Sequence, residues 1–352
     1  MYDAHLHFGD TERLGELLRY CSHAELSGAG LVSLPSPGWI HFNPEILYAK
    51  HFYPEKFWVF AALEHAYPAQ SSGSSAGRSA APPSLAEQVR ELDEIGCDGI
   101  KIWNGKPSFQ KMTGLTIDGP EFSDAFWSAA EAGLPVLLHA ADPLEFWEHG
   151  DGEAGGWKDF ENYIAQAEAA AAEHAKTVFI FPHLLFLAHD LRRLGVFLDR
   201  YPNAFLDISP GMYYFSHLSL QRDAAARFFD EYAGRILFGT DALLFPAAYT
   251  MLPYMEEGAV YQRFSLLNDF FFRGESVADP FRLSAPRPSA QTSSAPMLPA
   301  PALSGRARDG LQRSAFLELF VDGRPRPLDS DRVIRYLERF PRPLGFSLSE
   351  LR

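Results

Sequence analysis

Apolar runs rich in β-branched and aromatic residues alternate with amphipathic stretches of helical period from the first residue to about residue 270. That alternation is the mark of parallel strand–helix units. Eight strands are predicted: Tyr2 to His7, Gly30 to Pro35, Phe57 to Glu64, Gly99 to Trp103, Pro135 to His139, Thr177 to His183, Ala204 to Ser209 and Ile236 to Asp241. Several are almost wholly apolar, such as Val-Phe-Ile-Phe after Thr177, as strands covered on both faces require. Helices are predicted between them, among them Thr11 to Cys21, Leu85 to Ile95, Phe122 to Ala132, Trp157 to His174 and Ala224 to Tyr232, with Gly96 and Gly133 as stops. The resulting fold class is α/β, a (β/α)8 barrel. An open doubly wound sheet competes, but it normally carries a glycine-rich phosphate loop after its first strand, and here that strand runs into His-Phe-Gly-Asp.

Two stretches interrupt the pattern. Residues 69 to 83 and about 284 to 308 are rich in Ser, Ala, Pro and Gly. With few apolar anchors they are expected to be flexible surface insertions in one domain spanning 1–352, the first as a tolerated loop expansion or a lid. Beyond the second, Ser314 to Val321 and Ser330 to Phe340 are predicted as closing helices.

Composition narrows the class. The chain has 352 residues, 47% of them apolar, enough for a large core. No apolar run reaches membrane-spanning length, and Met-Tyr-Asp begins a strand instead of a signal peptide, so a cytoplasmic, non-membrane protein is expected. Two cysteines, Cys21 and Cys97, make no disulfide framework and no Cys-x-x-Cys motif. A net charge of -14 argues against nucleic acid, which needs a basic face. The expected partner is a small-molecule substrate, with homo-oligomerisation left open.

The candidate chemistry lies at predicted strand ends. His5 and His7 are two apart on a strand, so both imidazoles point to one side, as a metal chelate needs. Taken alone, His-x-His is a weak signal. Lys101 lies near the end of strand 4, His139 ends strand 5, His183 ends strand 6 and Asp241 ends strand 8. In a parallel barrel that face is where loops open and distant residues converge, so the joint pattern is far more specific than any member.

Asp-Ala-His-Leu-His at the start, Leu-Leu-His at His139, Phe-Pro-His at His183 and Phe-Gly-Thr-Asp at Asp241 resemble the amidohydrolase superfamily, in the branch called amidohydrolase family 2, over residues 1 to about 250 and as far as the closing helix around Phe316 to Phe320. The resemblance implies that His5, His7 and Asp241 hold a divalent cation, most often zinc, with His139 as a further ligand or, with His183, as part of a second site. It implies that Asp241 takes a proton from an activated water, and that His183 polarises substrate or handles protons where only one ion is bound. In some relatives a carboxylated strand 4 lysine bridges two metals; a substrate-binding ammonium or a salt bridge in the barrel mouth is the preferred role for Lys101. One zinc ion is expected, with two as the alternative.

Other residues carry less weight. Glu64 and His65 end strand 3 and could touch substrate or support ligands, and Asp207 is read as orienting a neighbouring histidine or as structural. Trp39, Trp103, Phe186 and Tyr213 either wall a pocket or cover the rim. His41, His149, His189 and His217 stay unassigned. Within the resemblance three functions compete: a hydrolase of an amide, ester or lactone, a non-oxidative decarboxylase of an aromatic or unsaturated acid, and a catalytically silent binding barrel. The hydrolase is preferred. A decarboxylase would want a cation for the carboxylate, which Lys101 or Lys106 could supply, but no arginine follows a strand in an obvious position.

Overall fold

The computed structural model describes residues 1–36, 40–64, 83–148, 159–211, 213–246, 258–279, 296–340 and 344–352. Strands β1 (Tyr2–Phe8), β2 (Gly28–Val32), β3 (Phe57–Ala62), β4 (Gly99–Gly105), β5 (Val136–Ala140), β6 (Phe179–Phe181) and β7 (Ala204–Asp207) pair side by side in chain order, all parallel. The eighth stave comes in two pieces. β8 (Ile236–Leu237) pairs with β7, and β9 (Ala242–Leu244) pairs with β1. Between them Ala4 N–H donates to the Phe238 carbonyl (2.8 Å) and Asp241 N–H to the His5 carbonyl (2.7 Å). Among the described residues these two bonds close the ring between the eighth stave and β1.

Helices fill the crossovers: α1 (Leu14–His23), α2 (Asn43–Phe52), α3 (Leu85–Ile95), α4 (Pro107–Thr113), α5 (Pro120–Ala132), α6 (Leu144–Glu148), α7 (Phe160–Glu173), α8 (Leu191–Arg200), α9 (Tyr214–Leu220), α10 (Arg222–Glu231) and α11 (Ala259–Leu267). Gly96 and Gly133 end α3 and α5 in the left-handed region, at φ of 96° and 67°, as their positions after the apolar stripes predict. Among the described residues no helix is long and apolar enough to cross a membrane.

Alternation along each strand sorts the side chains into two cores. Leu31, Val59, Ile100 and Leu138 face the helices, while Val32, Phe60, Leu137, Ile180 and Leu237 point into the barrel. β1 breaks the alternation on purpose. Its register against β2 gains one residue between Asp3 and Leu6, so Ala4 joins the inner core and His5, the next residue, also turns inward. A bulge of this kind re-aims a side chain, and here it separates an apolar barrel floor from a polar mouth.

The floor is closed by the chain's later part. α12 (Gly305–Asp309), a wide turn over Gly310–Ser314 and α13 (Ala315–Leu317) run across it, and the loosened turn lets the Leu311 carbonyl accept the Phe238 N–H at 3.1 Å. Phe316 stacks on Tyr2 (centroids 5.0 Å apart) and meets Trp58 edge-on at 5.0 Å. α14 (Ser330–Glu338) covers α2 and α3 from outside.

The expected insertion at 284 to 308 needs correction. Residues 284–295 lie outside the described residues, but Met297–Leu298 pairs with Val277–Ala278, and Leu303 and Ala307 are buried. Averaged composition hid these few anchors among small residues and prolines. The stretch 69 to 82, with its lid reading, lies outside the described residues as well.

Phe316 is 1% exposed and has aromatic neighbours that cannot collapse into its place. Phe316→Ala is expected to cost about 3–5 kcal/mol, read from the urea midpoint. A loss below about 1 kcal/mol would mean that the floor does not depend on this plug.

Candidate metal centre

His5 and His7 reach the mouth from adjacent inward positions of β1, and Asp241 arrives from the eighth stave. His5 Nε2 and His7 Nε2 lie 3.1 Å apart; Asp241 Oδ1 is 3.1 Å from His7 Nε2 and 3.6 Å from His5 Nε2. Among the described residues these three form the group whose ligand atoms converge closely enough to hold a metal ion.

The remaining ring nitrogens fix the tautomers. His5 Nδ1–H donates to Asp207 Oδ2 (2.8 Å), and His7 Nδ1–H donates to the Val32 carbonyl (2.9 Å). Both Nε2 atoms therefore carry lone pairs that face each other and a carboxylate oxygen. Burial lowers both imidazole pKa values, that of His5 to about 4, helped by the charge of Lys101, so a shared proton does not relieve the repulsion near neutral pH. A cation does. Four-coordinate zinc with bonds of about 2.0–2.1 Å spaces its ligands roughly 3.3 Å apart, close to the separations found here. Two imidazoles and one carboxylate, each oriented by a further hydrogen bond, are a donor set that fits a divalent ion.

Asp207 is the hub of the supporting shell. Besides His5, it accepts from His183 N–H (3.0 Å), Ser209 N–H (2.9 Å) and the Ser209 hydroxyl. Burial pushes its pKa up, but His5 and these donors outweigh that and hold it at about 2. Asp3, two residues before His5 on β1, is fully buried and accepts from Tyr20 Oη, Thr240 Oγ1 and the backbone of Thr240 and His5. It ties β1 to the residue preceding Asp241. Gly239 completes the fit, since a Cβ there would stand 2.9 Å from that of His5.

Asp241 sits at φ 49°, in the left-handed region, and is held there by Arg263 of α11, whose Nη1 donates to the carbonyls of Thr240 (3.1 Å) and Asp241 (2.8 Å) and lies 3.4 Å from Asp241 Oδ2. Arg263 is the residue the sequence reading missed. It lies on a helix well beyond the strand end, with no motif around it. Burial acts to raise the Asp241 pKa, yet His7, His5 and Arg263 hold it well below the usual carboxylate range.

His183 does not end a strand. β6 stops at Phe181, and His183, Leu184, Leu185 and Phe186 form a left-handed turn with φ between 51° and 58°. Such backbone costs about 1–2 kcal/mol per residue without glycine and is typical of sites where geometry matters. His183 Nδ1 meets the Ser209 carbonyl (3.2 Å) and hydroxyl (2.9 Å), and its ring lies 5.9 Å from that of His5 and 5.3 Å from that of His139.

The structure does not bring His139 into the converging group. Its Nε2–H donates to the Ala141 carbonyl (3.0 Å), which removes that nitrogen as a ligand, and Asp142 Oδ1 lies 3.8 Å away with Lys106 on its other side. Burial lowers the His139 pKa to about 3. Trp103 and Phe186 flank the ring, at 6.5 and 5.6 Å between centroids. Lys101 points inward from β4 and is buried. Elsewhere on the mouth Glu64 pairs with His41 (3.3 Å), and His217 with Glu145 (2.8 Å) beside His189. Tyr213 opens α9 in a left-handed conformation. Trp39, His65 and His149 lie outside the described residues.

Comparison with known proteins bears on the family and the fold. The family model described as Amidohydrolase matches residues 2–272. Similar solved structures include a Pseudomonas putida protein whose name proposes a 2-pyrone-4,6-dicarboxylic acid hydrolase, at 14% identity with 90% of this chain and 96% of that one covered and a TM-score of 0.51. Another is the 2,6-dihydroxybenzoate decarboxylase from Rhizobium, at 16% identity with 90% and 97% covered and a TM-score of 0.50. At such identities the likeness concerns the fold alone. No curated protein matches the sequence.

Asp207→Asn removes the charge behind His5 while keeping the side chain's shape. Zinc affinity by chelator competition is expected to fall about 10–100-fold with the far-UV spectrum unchanged. Wild-type affinity in this variant would show that Asp207 serves the fold and not the ion.

Proposed function

The chain belongs to the amidohydrolase family, and on that premise we propose that it is a metal-dependent hydrolase that cleaves an amide, ester or lactone bond of a small molecule. The observation that carries the reading is the convergence of two lone-pair-bearing Nε2 atoms and an ionised carboxylate at the open end of the barrel. A single zinc ion is proposed, on His5, His7 and Asp241. When bound, such an ion makes water a nucleophile near neutral pH and polarises a carbonyl.

The chain's own residues have separate tasks in this reading. Asp241, anchored by Arg263, shares Oδ1 with both histidines and receives the proton that water gives up. His183 donates through Nδ1 to Ser209, which leaves Nε2 for a proton or for substrate. His139, held neutral by burial, contributes a fixed wall with Trp103 and Phe186. Its role as a further ligand would use Nδ1, since Nε2 is engaged.

A second reading, decarboxylation of an aromatic or unsaturated acid, is favoured by one feature: the buried cation Lys101 within the field of the same group. The two reactions differ in the fate of water. With a panel of lactones, esters, amides and aromatic acids, the hydrolase reading expects oxygen from labelled water in a product carboxylate. It also expects Asp241→Asn to cut turnover by about a hundredfold or more with the fold retained. Carbon dioxide released without label would establish the lyase instead. A metal-loaded protein that only binds members of the panel would establish the silent barrel.

A further inference from the structure

Lys101 stands out among the buried charges. It occupies an inward position of β4, with Ile100 and Ile102 on either side facing the helices, and is 2% exposed. Among the described residues its Nζ has neither a hydrogen bond nor an ion pair. The other fully buried lysine, Lys50, is satisfied: its Nζ donates to the Gly96 carbonyl (2.9 Å) and to Asp98 (2.5 Å). The nearby carboxylates have donors too, Asp207 four of them, Asp3 Tyr20 and Thr240, Asp241 the Arg263 guanidinium. A buried ammonium without a partner is costly, so its presence calls for a counterion that arrives from outside.

Its surroundings say where that counterion lies. The charge of Lys101 is felt by His5, His7 and His139 and is balanced only at a distance by Asp207 and Asp241. With a divalent ion in place, the two carboxylates face an ammonium, a guanidinium and the ion, which leaves two positive charges in excess. We propose that Lys101 docks the carboxylate of an anionic, planar substrate at the metal centre, with Trp103 and Phe186 alongside. The proposal rests on the centre being the substrate site. A single ammonium with three donors suits a carboxylate oxygen, whereas a phosphoryl group wants several donors converging on it. A bridging role between two metals is disfavoured because His139 has Nε2 committed to Ala141.

The test compares benzoate with its neutral counterpart benzamide by calorimetry on the zinc-loaded full chain, as wild type, Lys101→Met and Lys101→Gln. Wild type is expected to prefer benzoate, and both variants to lose about tenfold or more of benzoate affinity with benzamide unchanged within about twofold. Zinc content is expected to be the same in all three proteins, and the melting temperature of Lys101→Met equal or higher, because an uncompensated charge has been removed. Unaltered benzoate binding in both variants would overturn the proposal. So would loss of zinc, which would make Lys101 a ligand, or a lowered melting temperature in both, which would make it structural. None of these outcomes depends on labelled oxygen or on Asp241, so the hydrolase reading stands or falls separately.

Discussion

The site depends on how the first and last staves of the barrel meet. His5 and Asp241 are at opposite ends of the folded stretch, yet the Asp241 N–H donates to the His5 carbonyl, and Asp3 binds both the His5 N–H and Thr240. Barrel closure and assembly of the centre are the same set of hydrogen bonds. This is why the eighth stave is broken in two: its first piece completes the sheet against β7, and its second turns to β1. The kink between them presents Asp241 in a conformation that an uninterrupted strand would forbid.

Around that seam the charges are arranged in order of depth. The floor is apolar and sealed by Phe316. Burial lowers the pKa values of His5 and His7, while nearby donors and positive charge hold those of Asp207 and Asp241 down. One carboxylate, Asp207, serves a strand and a loop at once, since it fixes the ring of His5 and the backbone of His183. The left-handed turn that follows His183 is thereby paid for by the same group that orients the ligand.

Much of this was legible from residue pattern. The eight strands, the stops at Gly96 and Gly133, and the gathering of His5, His7 and Asp241 follow from periodicity and from the rule that functional residues collect at the carboxyl ends of barrel strands. What stayed hidden depends on geometry that periodicity does not encode. An inserted residue in β1 lets Ala4 and His5 face the same side, although strict alternation would separate them. Pro182 ends β6 early, so His183 belongs to a turn that leucines and a phenylalanine would not suggest. Which nitrogen of His139 is engaged is a matter of one carbonyl, that of Ala141. Arg263 acts from a helix across a long loop, beyond the reach of any local motif. The anchors Leu303 and Ala307 were masked by the small, polar residues around them.

The central claim is that three acceptor atoms converge because a cation belongs between them. Diffraction from crystals of the zinc-loaded protein, with anomalous data collected on both sides of the zinc absorption edge, tests it directly. The expected result is one strong anomalous peak bonded to His5 Nε2, His7 Nε2 and Asp241 Oδ1 at about 2.0–2.2 Å. A map with no peak there, and the two Nε2 atoms still facing each other in zinc-saturated crystals, would contradict the account.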